Sequence, residues 1–236
     1  MKRWAAALLL LCLWGCQVPA TPGAAPPALV QQTVPATDPA DERIAVLLHG
    51  YGSNEQDLLS LAPRLGLNGR VVSFRAPQTA GRGWAWFPIE FTDTGTSYPS
   101  DAADAAVLRL ASELRSLGRV HDAPIVVVGF SQGAMLSMML AVEHPDTVDA
   151  SVALSGALPR QLRANGKASP IFAVHGVDDD IIPIERARTA NAWLRDAGAD
   201  VELLEVPGLK HRTSPAALTR ASEWLTSNCA ASGCAR

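Results

Sequence analysis

Six short runs of apolar, mostly β-branched residues recur along this 236-residue chain: RIAVLLHG, RVVSFRAP, PIVVVGFS, ASVALSG, PIFAVHG and VELLEVPG. Each is nearly continuous in apolar character, which predicts strands buried on both faces. Strands of that kind belong to a parallel sheet with helices covering both sides. Between the runs lie segments with helical spacing, at residues 55–65, 101–117, 132–143, 185–197 and 214–224. In the second of these, Ala105, Leu108, Ala111, Leu114 and Leu117 recur at the helical interval. The alternation predicts a three-layer α/β sandwich with a mostly parallel central sheet. Sites in such sheets form at the carboxyl ends of the strands.

The N-terminal segment reads differently. MKRWAAALLLLCLWGC carries two cations and then an apolar stretch over residues 4–14, too short to span a bilayer and laid out like an export signal. Its end, Leu13 to Cys16, resembles the lipobox of bacterial lipoproteins, in which cleavage precedes a cysteine that is then lipidated. The expectation is a signal over residues 1–15 and a lipid on Cys16 that holds an exported protein to a membrane of the bacterial cell envelope. Residues 16–40 are rich in Pro, Ala and Thr and predict an extended tether, with a short edge strand at residues 29–34. The folded domain is expected over residues 41–228, with a tail at 229–236. Outside the cytoplasm, Cys229 and Cys234 could pair.

The net charge of −3 leaves no basic footprint, so nucleic acid is not an expected partner. The chain has no P-loop, no G-x-G-x-x-G after a strand and no H-E-x-x-H. No cofactor and no metal are expected.

Gly129-Phe130-Ser131-Gln132-Gly133 fits G-x-S-x-G. The motif alone is weak, but here it directly follows a predicted strand and opens a predicted helix, the context a nucleophile elbow requires. A serine hydroxyl is a poor nucleophile until a base takes its proton. In this arrangement the partners follow in the order Ser, Asp or Glu, then His. His211 lies in the loop after VELLEV and before the last helix, and is the base this order selects. His121 and His144 sit at the wrong places, and His49 and His175 each begin an H-G pair at a strand end, a structural position. The acid must follow PIFAVHG, where Asp178, Asp179 and Asp180 stand in a row. Like charges repel, so at most one or two turn inward, and spacing does not choose among them.

A developing oxyanion needs fixed N–H donors. The backbone N–H of Gln132 is one candidate, and the N–H of Tyr51 in His49-Gly50-Tyr51-Gly52 is the other. Trp84, Trp86 and Phe87 lie in a long loop that carries more aromatic surface than solvent favours, and are expected to wall an acyl groove.

Taken together, LHGYGSNEQDL, GFSQGAM, HGVDDDIIP and GLKH resemble the phospholipase/carboxylesterase family of α/β-hydrolases, which includes acyl-protein thioesterases. The resemblance covers residues 44 to about 226. It implies the α/β-hydrolase fold, Ser131 as nucleophile and His211 as base. It also selects Asp179, because the family's acid precedes a x-hydrophobic-hydrophobic-Pro ending that here reads Asp180, Ile181, Ile182 and Pro183. Val177 stands where the family usually has a first aspartate, and Lys210 where a glycine commonly precedes the histidine. Between ASVALSG and the next strand lies only ALPRQLRANGKAS, too short for a helical cap. The implied activity is hydrolysis of small-molecule esters, or thioesters, of short to medium acyl chains through an acyl-enzyme. The alternatives are a catalytically silent binding protein or a polyester- or acyl-transfer-active member of the same fold.

Overall fold

In a computed structural model of the chain, which describes residues 28–92 and 95–232, the six apolar runs lie side by side in one sheet. Cys16 and Cys234 fall outside the described residues, and with them the signal segment and the Cys229–Cys234 pairing. The chain enters through β1 (Gln31–Val34) and β2 (Ile44–Leu48), then makes two 3-10 turns at Leu59–Leu61 and Pro63–Leu65. β3 (Arg70–Phe74) follows, and then two small antiparallel pairs, β4 (Gln78–Ala80) with β5 (Gly83–Ala85) and β6 (Glu90–Thr92) with β7 (Gly95–Ser97). From there strand and helix alternate: α1 (Ser100–His121), β8 (Ile125–Phe130), α2 (Gln132–Glu143), β9 (Ala150–Leu154) and β10 (Ile171–Gly176). α3 (Ile184–Asp196), β11 (Val201–Val206) and α4 (Pro215–Ser232) complete the order.

The main sheet has seven strands in the order β1-β3-β2-β8-β9-β10-β11. All neighbours are parallel except β1, which runs antiparallel to β3. Side chains alternate faces along each strand. Ile44, Val46 and Leu48 join the core under α1, α2 and α3, while Ala45 and Leu47 join the core under the 3-10 turns and α4. Both faces are therefore buried, which is why the strands read as unbroken apolar runs. α2 is buried along Gln132–Val142, between the sheet and α1, and its sequence is accordingly apolar all round.

Four local expectations are corrected. Residues 55–65 do not form an α-helix. Pro63 has no N–H for the carbonyl of Leu59, and the segment closes instead with i→i−3 bonds such as Leu61 N–H to Leu58 O and Leu65 N–H to Ala62 O. The folded unit begins before residue 41, because β1 covers the outer edge of β3 and Leu29 is buried with its N–H donating to Glu113. At the other end α4 runs past residue 228, to Ser232. The long aromatic loop is largely organised by the two small strand pairs. Between β9 and β10, the stretch 155–170 has no helix or strand and lays Leu158 and Leu162 onto the core, so no cap stands over the sheet there.

The elbow region sets the packing limit. A Cβ on Gly133 would lie 1.9 Å from the Leu48 carbonyl oxygen, so Gly133→Ala is expected to cost about 3 kcal/mol or more. Gly118, inside α1, leaves room: its Cβ would meet only Ile125 Cδ1, at 3.8 Å. Gly118→Ala should stabilise by about 0.5–1 kcal/mol. Urea unfolding of the two variants should shift the midpoint in opposite directions.

Candidate active site

The turn from β8 into α2 crowds three backbones together. A Cβ on Gly129 would fall 2.2 Å from the Gly133 carbonyl, and one on Gly133 would strike β2. Both positions therefore have to be glycine. Ser131 between them takes φ 52° and ψ −112°, which an L residue adopts only under constraint. The constraint is supplied by its N–H, which donates to Leu154 O at 2.8 Å, and by its carbonyl, which accepts Met135 N–H at 3.1 Å. The result lifts the hydroxyl above the sheet end.

The loops after β10 and β11 bring two partners to that hydroxyl. His211 Nε2 lies 3.0 Å from Ser131 Oγ, and His211 Nδ1 lies 2.8 Å from Asp179 Oδ2. With Asp179 ionised, Nδ1–H donates to it, which leaves Nε2 free to accept the serine proton. The Phe130 ring packs against the imidazole at a centroid distance of 5.1 Å.

Of the three aspartates, Asp178 and Asp180 are exposed and Asp179 is buried. Asp179 Oδ1 accepts the N–H groups of Ile181 at 2.9 Å and Ile182 at 2.8 Å. Asp180 pairs with Lys210 at 3.0 Å, both side chains more than half exposed, so Lys210 is turned away from the imidazole. Burial pushes the Asp179 carboxyl up. The hydrogen bonds from His175, His211, Ile182 and Ile181 outweigh it and hold the group well below the usual carboxylate range.

His175 was assigned only a structural place from the sequence, and the structure adds a contact. Its Nε2 lies 2.8 Å from Ile182 O and 3.3 Å from Asp179 Oδ2. One N–H thus bridges the loop carbonyl and the acid. The position of His175 at the strand end, four residues before Asp179, was the available signal.

On the other side of Ser131 runs the His49–Gly52 loop. A Cβ on Gly50 would lie 3.4 Å from Ser131 Cβ, so this backbone passes beside the nucleophile. His49 Nδ1–H donates to Gly50 O at 2.7 Å, and Ser53 N–H reaches the same oxygen at 3.3 Å. The trans Gly50–Tyr51 peptide therefore turns the Tyr51 N–H away from those donors. Burial lowers the His49 pKa, which keeps the ring neutral, and Nε2 accepts Ala76 N–H at 3.1 Å. Gln132 opens α2, where the first N–H groups have no intrahelical acceptor.

Trp86 and Phe87 do not wall a groove; both are buried, at 2% and 0% exposure. Their role is to hold the elbow and the neighbouring loop. The Gln132 side chain accepts Trp86 N–H at 2.8 Å and donates to Phe87 O at 2.7 Å. The Trp86 indole donates to His49 O at 2.9 Å. Trp84 is half-buried, paired to the loop by Gly52 N–H to Trp84 O at 2.9 Å and Trp84 N–H to Ser53 O at 2.8 Å. The Arg75 guanidinium lies 4.9 Å above its ring and is fixed by Glu55 at 2.6 Å. Nothing in the sequence pattern pointed to the Gln132 amide or the Arg75–Glu55 pair.

Comparison with known proteins gives one family and consistent relatives. The profile of the Phospholipase/Carboxylesterase family matches residues 30–229. A probable carboxylesterase SOBER1-like of Arabidopsis thaliana is 26% identical over 153 residues, covering 60% of this chain and 58% of that protein. A probable inactive carboxylesterase of Oryza sativa subsp. japonica is 26% identical over 215 residues, 81% of this chain and 87% of its own. The chain thus spans less than two thirds of the length of the Arabidopsis relative. Among solved structures, esterase PE8 superposes with a TM-score of 0.76 at 28% identity, covering 85% of this chain and 99% of its own.

Two measurements follow from the buried acid. Asp179→Asn should lower turnover sharply, while Asp178→Asn and Asp180→Asn leave it within a few-fold of the parent. Because the folded pKa of Asp179 is depressed, its ionised form contributes stability above the unfolded value of about 3.9, and that stability is lost as pH falls below it. Unfolding free energy should therefore fall less steeply between about pH 5 and pH 3 in Asp179→Asn than in the parent. Equal slopes would place the acid elsewhere.

Proposed function

The chain belongs to the Phospholipase/Carboxylesterase family, and on that premise we propose that it hydrolyses small-molecule carboxylic esters or thioesters through an acyl-enzyme on Ser131. The observation that carries this is the continuous path from Asp179 through His211 to Ser131, at 2.8 and 3.0 Å. His211 Nε2 takes the hydroxyl proton as Ser131 Oγ attacks the carbonyl carbon. The N–H groups of Tyr51 and Gln132 receive the charge that develops on the carbonyl oxygen. His211 then gives its proton to the departing alcohol or thiol, and water, activated by the same nitrogen, releases the acid. Asp179 stays ionised throughout and stabilises the imidazolium.

The short, coil-like stretch 155–170 leaves the sheet end without a cap, which supports small soluble esters of short to medium acyl chains. The rice relative described as inactive keeps the silent alternative in view, and the intact triad here speaks against it. The apolar stretch ending in Leu13-Trp14-Gly15-Cys16 supports export and lipid attachment at Cys16 in a bacterial cell envelope.

A fluorophosphonate probe should label Ser131 and not Ser131→Ala, and that variant should lose roughly 10⁴- to 10⁶-fold in kcat with the fold intact. No labelling of the parent would leave a binding protein on a hydrolase fold. Aryl acetate and butyrate should be cleaved without a rise in rate above the solubility limit; best activity on long-chain triglyceride emulsions would contradict the open site. Membrane fractionation should find the full-length protein with the membranes and Cys16→Ser in the soluble fraction. Equal solubility of the two forms would reduce the segment to a secretory signal.

A further inference from the structure

A groove of about 200 Å³ is lined by Asp57, Leu58, Leu61, Phe130, Arg212 and Thr213. Its walls are chain neighbours of the reacting groups. Phe130 immediately precedes Ser131 and packs on the His211 ring, and Arg212 and Thr213 immediately follow His211. The groove therefore borders Phe130, whose ring packs on the His211 imidazole. Its lining includes the apolar side chains of Leu58, Leu61 and the half-buried Phe130.

The volume is somewhat larger than the ~150 Å³ apolar cavity that takes a benzene ring. Phe130 contributes an aromatic face and Arg212 a planar guanidinium, both of which stack on flat rings. Arg212 is exposed and enters no ion pair with the described residues, so its plane is available to a ligand. Asp57 faces the same space and accepts the Ser53 hydroxyl at 2.8 Å. Opposite charges in one lining leave no net attraction for an ionic substituent.

We propose that this groove seats the leaving group of the substrate and selects an uncharged aromatic alcohol of about phenyl size. The proposal rests on the serine-esterase reading above and names the part of the substrate that reading leaves open. The bond broken is the one between the acyl carbon and the phenolic oxygen. That oxygen takes the proton from His211 Nε2, and the acyl group remains on Ser131 until water removes it.

Holding the acyl group constant isolates the groove. The quantity to measure is kcat/KM for phenyl acetate divided by kcat/KM for methyl acetate, whose leaving group is too small to reach the walls. Relative to the parent, Thr213→Trp should lower this ratio at least tenfold by filling the space, and Arg212→Ala should lower it by about threefold to tenfold by removing the stacking plane. Arg212 is exposed and Thr213 half-buried, so the urea midpoint of each variant is compared with the parent's, and fluorophosphonate labelling verifies that Ser131 remains reactive. Labelled variants whose ratios stay within twofold of the parent would overturn the proposal and leave the esterase reading standing. A change instead in the phenyl butyrate to phenyl acetate ratio would assign the groove to the acyl chain and overturn it as well. A parent protein that neither labels nor turns over any ester would remove both readings together.

Discussion

The reactive end of this sheet depends on how closely α2 can lie against β2 and β8. Adding a single carbon at Gly133 would bring it within 1.9 Å of the Leu48 carbonyl, and adding one at Gly129 would bring it within 2.2 Å of the Gly133 carbonyl. A helix displaced to relieve those contacts would carry Ser131 with it. His211 and Asp179 would not follow, because they hang from β11 and β10 on the far side of β9. Hydrogen-bond reach between Ser131 and His211 leaves only a few tenths of an ångström, so close packing at two glycines sets the geometry of a triad drawn from three strand ends. The strain at Ser131, of order 1–3 kcal/mol for such a backbone, is opposed by the bonds of its N–H and carbonyl to Leu154 and Met135.

The second constraint is the charge on Asp179. A buried carboxylate is expensive unless hydrogen bonds replace its water. Here two backbone N–H groups, one from each residue of the Ile181–Ile182 pair, cover Oδ1, while His211 and His175 approach Oδ2. The flanking carboxylates cannot share that site, and they stay in solvent, where Lys210 neutralises Asp180. The proposed acyl-enzyme chemistry draws on the same arrangement. An acid that stays ionised fixes the Nδ1–H tautomer of His211 and stabilises the positive ring that forms when Ser131 gives up its proton.

These two constraints differ in how plainly the sequence displays them. The strands are legible because burial on both faces demands an unbroken apolar run, and the elbow is legible because glycine, serine and glycine sit where a strand passes into a helix. The choice among Asp178, Asp179 and Asp180 is not, since it turns on how the backbone bends after Gly176 to offer two N–H groups to one carboxylate. Family resemblance selects Asp179, and burial supplies the reason. The 55–65 segment misleads because its leucines have helical spacing, while the missing N–H of Pro63 interrupts the ladder they imply. Trp86 and Phe87 mislead in the opposite sense. An aromatic in a long loop suggests an exposed wall, and the partner that draws these two inward, the Gln132 side chain, lies 46 and 45 residues away.

That partner gives the aromatic segment a different place in the chemistry. Gln132 supplies a backbone N–H beside Ser131, and its amide is locked to the backbone of Trp86 and Phe87. The chain leading to Tyr51 is locked to the same segment, through the Trp86 indole on His49 O and the pairing of Trp84 with Gly52 and Ser53. The two candidate oxyanion donors come from loops 81 residues apart in sequence, Tyr51 and Gln132, yet both are tied to one short stretch, residues 84–87. Donors that must not reorganise as charge develops need a common rigid support. A buried, hydrogen-bonded aromatic pair provides that better than an exposed one, whose rings would be free to move with each substrate. The burial of Trp86 and Phe87 is therefore consistent with a site whose donors are fixed before the ester arrives, and it leaves the proposed recognition of the ester to side chains that keep some exposure: Tyr51, Trp84 and the groove at Phe130 and Arg212.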